Sequence, residues 1–156
     1  MLEKSIIVSS MTKEDAHKLF IDFKNDKSLF EREEDYKEYK YSFDEVDNYV
    51  LNQVNKGYIL LSIKYNDDVI GEIRFKGVEN SCSEIGIILK SDEYKNKGIG
   101  TLALKKALEY AKYELKLTRI VASILKTNKR SQHIFNKMGF VLFDKDNHFY
   151  KYYINI

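Results

Sequence analysis

A mixed α/β fold is what the sequence predicts: a central, mostly antiparallel sheet with one β-α-β crossover and helices on both faces. Three observations predict it. Strand signals crowd together from Tyr58 to Lys90, joined by turns so short that neighbours must run antiparallel. Beyond Gly100 the apolar period turns helical, returns to a strand and turns helical again, as a crossover requires. The length of 156 residues, with 44% hydrophobic and 32% charged side chains, suits one domain over residues 1–156 with a real hydrophobic core.

The elements follow in order. Lys4 to Ser9 alternates as a short first strand, and Thr12 is placed to cap a helix over Lys13–Phe23. Asn25 to Tyr41 is polar, acidic and tyrosine-rich, and reads as a loop or irregular helix. Ser42 and Glu45 form a capping box for a second helix that runs to Asn55, where Lys56-Gly57 stops it. Strands are expected over Tyr58–Tyr65, Val69–Lys76 and Ser83–Lys90, with turns at Asn66–Asp68 and Gly77–Ser81. Leu104, Ala107, Leu108, Ala111 and Leu115 recur at helical spacing, which sets a helix over Ile99–Leu115. Leu117–Leu125 is β-rich, and Asn128–Met138 is a helix closed by Gly139. Phe140–Phe143 and Phe149–Ile154 close the chain as a hairpin. The order is β-α-α-β-β-β-α-β-α-β-β.

Composition excludes several classes. The one cysteine, Cys82, allows no internal disulfide and no cysteine-rich metal site, so no metal is expected and a reducing, cytoplasmic setting is. No apolar run approaches the roughly eighteen residues of a membrane span, and the start MLEKSIIVSS has no apolar leader core. Neither a membrane nor nucleic acid is expected as a partner: the basic residues are scattered and carry no recognition motif. Self-association into a homo-oligomer is allowed for. The net charge of +2 hides an asymmetry. Asn25–Asn48 carries nine acidic and four basic side chains, whereas Lys90–Lys137 carries twelve basic and four acidic. One half favours an anion and the other a cation.

The basic half contains Tyr94–Leu104, YKNKGIGTLAL, in which two glycines lead straight into the helix beginning at Ile99. A helix N-terminus leaves backbone N–H groups unpaired and carries partial positive charge, so it attracts anions. Glycine permits a sharp loop and a close backbone approach. The dinucleotide and nucleoside-triphosphate alternatives fit poorly, because there is no GxGxxG after the first strand and no GxxxxGK[ST].

The stretch SEIGIILKSDEYKNKGIGTLALKKALEYA, followed by a strand and then by NKRSQHIFNKMGF, resembles the GNAT superfamily of acyl-CoA-dependent N-acyltransferases. The family's Arg/Gln-x-x-Gly-x-Gly/Ala signature reads Lys95-Asn96-Lys97-Gly98-Ile99-Gly100 here. Its downstream Asn-x-x-Ala/Ser segment, ending in Gly-Phe, reads Asn128-Lys129-Arg130-Ser131 through Gly139-Phe140. The resemblance is close over residues 83–143, and the element order extends it over the chain. It implies acetyl-CoA as co-substrate and a primary amine as acceptor, with the pyrophosphate held by Lys95, Asn96, Lys97, Gly98, Ile99, Gly100 and Thr101. It further implies pantetheine and thioester contacts at the backbone of Ile88 and Leu89, and coenzyme A contacts at Asn128 and Ser131. The last two also have a structural task at the helix start. Lys95 departs from the usual Arg or Gln, keeping the charge but losing the planar fork.

For the chemistry, some family members place a basic carboxylate in the strand before the glycine loop, and the register back from Gly98 suits Glu84. Many carry a tyrosine four residues before the Gly-Phe glycine to protonate the thiolate. Phe135 stands there and cannot donate a proton; His133, Ser131, Tyr150 or water are the substitutes on offer. The acidic run of Glu31, Glu33, Glu34 and Asp35 falls where the resemblance puts the acceptor entrance, which points to a cationic amine. A second reading keeps the fold without turnover, as an acyl-CoA-binding sensing or interaction module.

Overall fold

In the computed structural model, which describes residues 5–21, 23 and 41–156, the expected order of elements is present among those residues. Seven strands are β1 (Ile6–Ser10), β2 (Ile59–Tyr65), β3 (Asp68–Glu79), β4 (Cys82–Leu89), β5 (Arg119–Leu125), β6 (Val141–Lys145) and β7 (Phe149–Asn155). The helices are α1 (Lys13–Ile21), α2 (Phe43–Asn55), α3 (Ile99–Tyr113) and α4 (Lys129–Lys137). The strands lie side by side as β1-β2-β3-β4-β5-β7-β6. Every neighbouring pair is antiparallel except β4–β5, the pair joined through α3.

The β2–β3 hairpin turns on Asn66 and Asp67, both at positive φ, as a two-residue hairpin turn requires. The second turn differs from the sequence expectation. Gly77 does not end β3 but forms a bulge at φ +66°, and the strand runs on to Glu79 before Asn80 and Ser81 make the turn at φ 52° and 58°. A left-handed residue inside a ladder adds one unpaired step and twists the strand without stopping it.

The sheet has a separate core on each face. On one side α3 lays down Ile99, Ala103, Leu104, Ala107 and Ala111 against Ile73, Phe75, Ile85 and Ile120. Alanines at every fourth position bring the helix axis close to the sheet. On the other side α1 and α2 bury Ala16, Leu19, Phe20 and Val46 with Val69. His17 and Asp47 link the two helices at 2.6 Å, and the His17 ring stacks on Phe43.

Asp15 fastens α1 to the sheet. Its carboxylate accepts from the Thr12 N–H at 3.1 Å while Thr12 Oγ1 accepts from the Asp15 N–H at 3.0 Å, a reciprocal cap. The same carboxylate meets Lys64 Nζ at 3.2 Å and the Ser62 hydroxyl at 3.2 Å. Burial opposes its charge, but the Thr12 bond, Lys64 and Ser62 together outweigh burial and hold the carboxyl below the usual carboxylate range. A depressed folded pKa contributes stability above the unfolded value of 3.8 that is lost as pH falls through the folded value. Asp15→Ala is expected to cost at least about 2 kcal/mol, one cap plus a hydroxyl and an ammonium left without their partner. Denaturant melts of both proteins check this at neutral pH, and the gap between them should narrow below about pH 4.

Candidate active site

The strand-loop-helix junction has the geometry that the glycine pattern suggested. Asn96 (φ 59°) and Gly98 (φ 78°) are left-handed on either side of Lys97, which curls the loop. Gly98 is the N-cap of α3 and makes no side-chain cap bond; the first helical bond runs from the Leu102 N–H to the Gly98 carbonyl. The N–H groups of Gly98, Ile99, Gly100 and Thr101 therefore stand ahead of the helical ladder, where an anion can receive them. The two glycines serve different ends. Gly98 supplies the left-handed turn, whereas a Cβ on Gly100 would come within 3.1 Å of Ile134 Cδ1, so Gly100 lets α4 seat against α3. Ile99 is buried in the core, and Lys97 and Asn96 are exposed.

Between β4 and β5 the sheet opens. Their parallel pairing covers Cys82↔Arg119, Ser83↔Ile120 and Glu84↔Val121 and stops there, although both strands continue. Beyond that point β4 stays with β3 and β5 stays with β7. The facing edges of residues 85–89 and 122–125 are left without strand partners across the gap. The Lys90 N–H donates to the Ile70 carbonyl, so alternation turns the Ile88 backbone toward β3 and the N–H groups of Ile87 and Leu89 toward the open edge. Of the two backbone positions expected to meet the thioester, Leu89 faces the opening and Ile88 faces the ladder.

A cavity of about 340 Å³ passes through this opening. From α4 it is lined by Asn128, Ser131 and Phe135. Asn128 is the N-cap of α4, its Oδ1 accepting from the Ser131 N–H at 3.1 Å, so both residues combine the structural task with a place on the wall. Phe135 is buried and meets the Phe140 ring edge-on, with centroids 4.8 Å apart. It presents carbon where a proton donor was sought. Among the substitutes, Ser131 lines the cavity; His133 is exposed, and Tyr150 carries Lys126 over its ring at 5.4 Å.

Glu84 occupies the last paired step of β4, one position before the strands part. Its carboxylate lies 3.9 Å from Lys76 Nζ, and it is not among the residues lining the cavity. Glu31, Glu33, Glu34 and Asp35 lie outside the described residues.

Sequence reasoning missed a second polar group on the far wall. Glu72, in β3, is directly opposite Ile88 and only 2% exposed. The Tyr49 hydroxyl, from α2, donates to both Glu72 oxygens, at 2.7 and 3.0 Å. Arg74 Nη1 donates to Tyr49 Oη at 3.4 Å and to Gln53 Oε1 at 3.3 Å, while its buried Nε has no hydrogen-bond partner among the described residues. Burial pushes the Glu72 carboxyl up, against the Tyr49 bond and the Arg74 charge. Burial, then the charge and bond of Glu72, push the Tyr49 phenol up strongly. The signal was present: Glu72, Arg74 and Lys76 alternate along β3, and Val46, Tyr49 and Gln53 recur at helical spacing in α2. Among the described residues, no three His, Cys, Asp or Glu gather as a metal would require, and no helix is long and apolar enough to cross a membrane.

Comparison with known proteins agrees with this geometry. A family model described as an acetyltransferase (GNAT) domain matches residues 5–141. Acetyltransferase PseH of Campylobacter jejuni (strain 81-176) is 26% identical over 96 residues, which are 62% of this chain and 58% of PseH. The match thus spans less than two thirds of that relative's length. The crystal structure of the C. jejuni N-acetyltransferase PseH superposes with a TM-score of 0.71 at 19% identity, covering 97% of this chain and 98% of PseH. Spermidine N-acetyltransferase from Vibrio cholerae, solved with CoA and spermine, superposes with a TM-score of 0.74 at 18% identity, over 97% of this chain and 96% of that one. At such identities the two structures speak for the fold. With the family model spanning most of its length, the chain belongs to the GNAT acetyltransferase domain family.

Proposed function

We propose that the protein is an N-acetyltransferase that moves an acetyl group from acetyl-CoA to a primary amine. The observation that carries this reading is the parting of β4 from β5 beside the left-handed N-cap of α3. An extended thioester can lie along the open edge of β4 with its carbonyl near the Leu89 N–H, while its phosphates meet the loop from Lys95 to Thr101. Donors fixed in the fold before the reaction stabilise the charge that develops on a thioester oxygen. Asn128 and Ser131 would flank the same ligand from α4. A cytoplasmic setting, in which the one cysteine would stay a thiol, goes with this reading.

One observation favours a second reading, a binding module without turnover: Phe135 offers no proton to a leaving thiolate. Release of free thiol from acetyl-CoA, measured with a panel of spermidine, glucosamine, lysine and ethanolamine, separates the two. Amine-dependent release is expected. Tight coenzyme A binding with no release for any amine would favour the module.

The loop carries its own expectation. Gly98→Val forces a β-branched residue into the left-handed region and closes the approach to the N–H groups. Coenzyme A affinity should fall at least about tenfold, or 1.4 kcal/mol, by calorimetry on folded protein. Gly100→Val should instead lower the melting temperature first, because it pushes on Ile134.

On the acceptor side, we keep Glu31, Glu33, Glu34 and Asp35 as a proposed attractor for a cationic amine. Steering by exposed charge is screened over about 8 Å at physiological salt. Accordingly kcat/KM should fall as salt rises, and fall again when Glu33 and Glu34 are both changed to Gln. A preference for neutral or anionic acceptors would count against it.

A further inference from the structure

Two carboxylates, one lining the cavity and one outside it, differ in burial, charge partner and place. Glu84 is 31% exposed at its side chain, shares its charge with Lys76 and sits below the point where the strands part. Glu72 is almost wholly buried, lines the cavity and lies across the ladder from Ile88, one strand from the open edge of β4. Neighbouring strands are about 4.8 Å apart. The side chains of Glu72, Arg74 and Ile88 share one face of the sheet with the bare Gly86, since Glu72 pairs with Ile88 and Arg74 with Gly86. Gly86 keeps this floor low: among the described residues, a Cβ there would have Arg74 Nη2 alone within 4 Å, at 3.9 Å.

The surroundings of Glu72 leave it with work to do. Two of its acceptor positions are taken by a single phenol, that of Tyr49. A carboxylate offers about four such positions. Arg74 stands next on the same face but spends Nη1 on Tyr49 and Gln53. From β2 the residue across is Ser62, whose hydroxyl is given to Asp15 of α1, and Asp15 is held in turn by Lys64. From β4 the neighbour is Ile88, which brings no charge. Among the described residues Tyr49 alone donates to this carboxylate, which leaves it acceptor capacity to spare, and a substrate ammonium would be a partner of the right sign. Arg74 and Lys76 also line the cavity, so a second positive charge on the acceptor would be repelled from it.

Resting on the acetyltransferase reading, we propose that Glu72 is the group that receives the acceptor's ammonium and takes its proton, with Tyr49 as the positioning residue that aims it. The ammonium gives one proton to the Glu72 carboxylate. The amine nitrogen then forms its bond to the thioester carbonyl carbon as the carbon–sulfur bond breaks. The nitrogen sheds its second proton to water, and the departing thiolate takes one from water. The products are the acetamide, the free thiol and the proton that Glu72 passes back to solvent. A carboxyl raised by burial is a closer match for an amine's proton than an exposed one.

The test compares wild type with Glu72→Gln, Glu84→Gln and Tyr49→Phe in amine-dependent thiol release, with coenzyme A affinity measured on each by calorimetry. Glu72→Gln should lose 10²-fold or more in kcat/KM while its coenzyme A affinity stays within about twofold. The rise of wild-type kcat/KM on the acidic side of its pH profile should lie above the ordinary carboxylate range and vanish in Glu72→Gln. In Tyr49→Phe that rise should persist at a displaced pH, which a merely structural role for the phenol would not produce. Should Glu72→Gln fail to fold, Glu72→Asp keeps the charge, withdraws it by one methylene and is expected to lose activity with an intact acidic limb. Glu72→Gln within about threefold of wild type would overturn the assignment and leave the acetyltransferase reading standing. So would a large loss confined to Glu84→Gln. Wild type that binds coenzyme A but releases thiol with none of the amines would overturn both together.

Discussion

Two parallel strands that pair for three steps and then separate set the terms for everything else in this fold. Parallel pairing continues only while both strands follow one twist, and here each strand has a stronger tie on its other side. β4 is held by β3 along its whole length, and β5 by β7. The separation leaves backbone N–H and C=O groups along residues 85–89 and 122–125 facing a gap. A buried group of this kind left unpaired costs about 1–3 kcal/mol, so the gap demands water or a ligand with amides of its own. The gap is walled by Asn128, Ser131 and Phe135 of the α4 segment and by Tyr49 of α2.

Those two faces are chemically unlike. The α3–α4 side offers a loop whose N–H groups stand ahead of the helical ladder, a basic surround and an N-capped helix start. It suits an anion with a long tail. The α2 side offers one buried carboxylate held by a phenol, with a guanidinium behind it. It suits a single cation. In the proposed reading, the opening between β4 and β5 would let an anionic donor and a cationic acceptor approach one another from opposite faces. Of the acidic half of the chain, the run at Glu31–Asp35 lies outside the described residues.

How much of this could be read from the residues alone depended on how local the cause was. The glycine loop was legible because the constraint is in the backbone: Gly98 at φ 78° is a place where few other residues sit comfortably. Caps were legible for the same reason, since Thr12, Ser42 and Asn128 each act within three residues. The ends of β3 were less so, because Gly77 can break a strand or bulge it, and only the partner strand decides. The proposed acceptor wall was not legible. Glu72 and Tyr49 are 23 residues apart, and a row of Glu, Arg and Lys on alternate positions reads as a solvated face until α2 is known to cover it. Glu84 shows the complementary gap: register from Gly98 put it in the right strand, but nothing local says where β4 and β5 part.

The central claim is that the open edge of β4 and the start of α3 together hold coenzyme A, and amide hydrogen exchange with and without coenzyme A tests it most directly. Slowed exchange is predicted at Ile87 and Leu89 and across Gly98–Thr101, with the N–H of Ile88, already in the ladder, little changed. Protection confined to α1 and α2, or none at the β4 edge when the ligand is bound, would contradict the account.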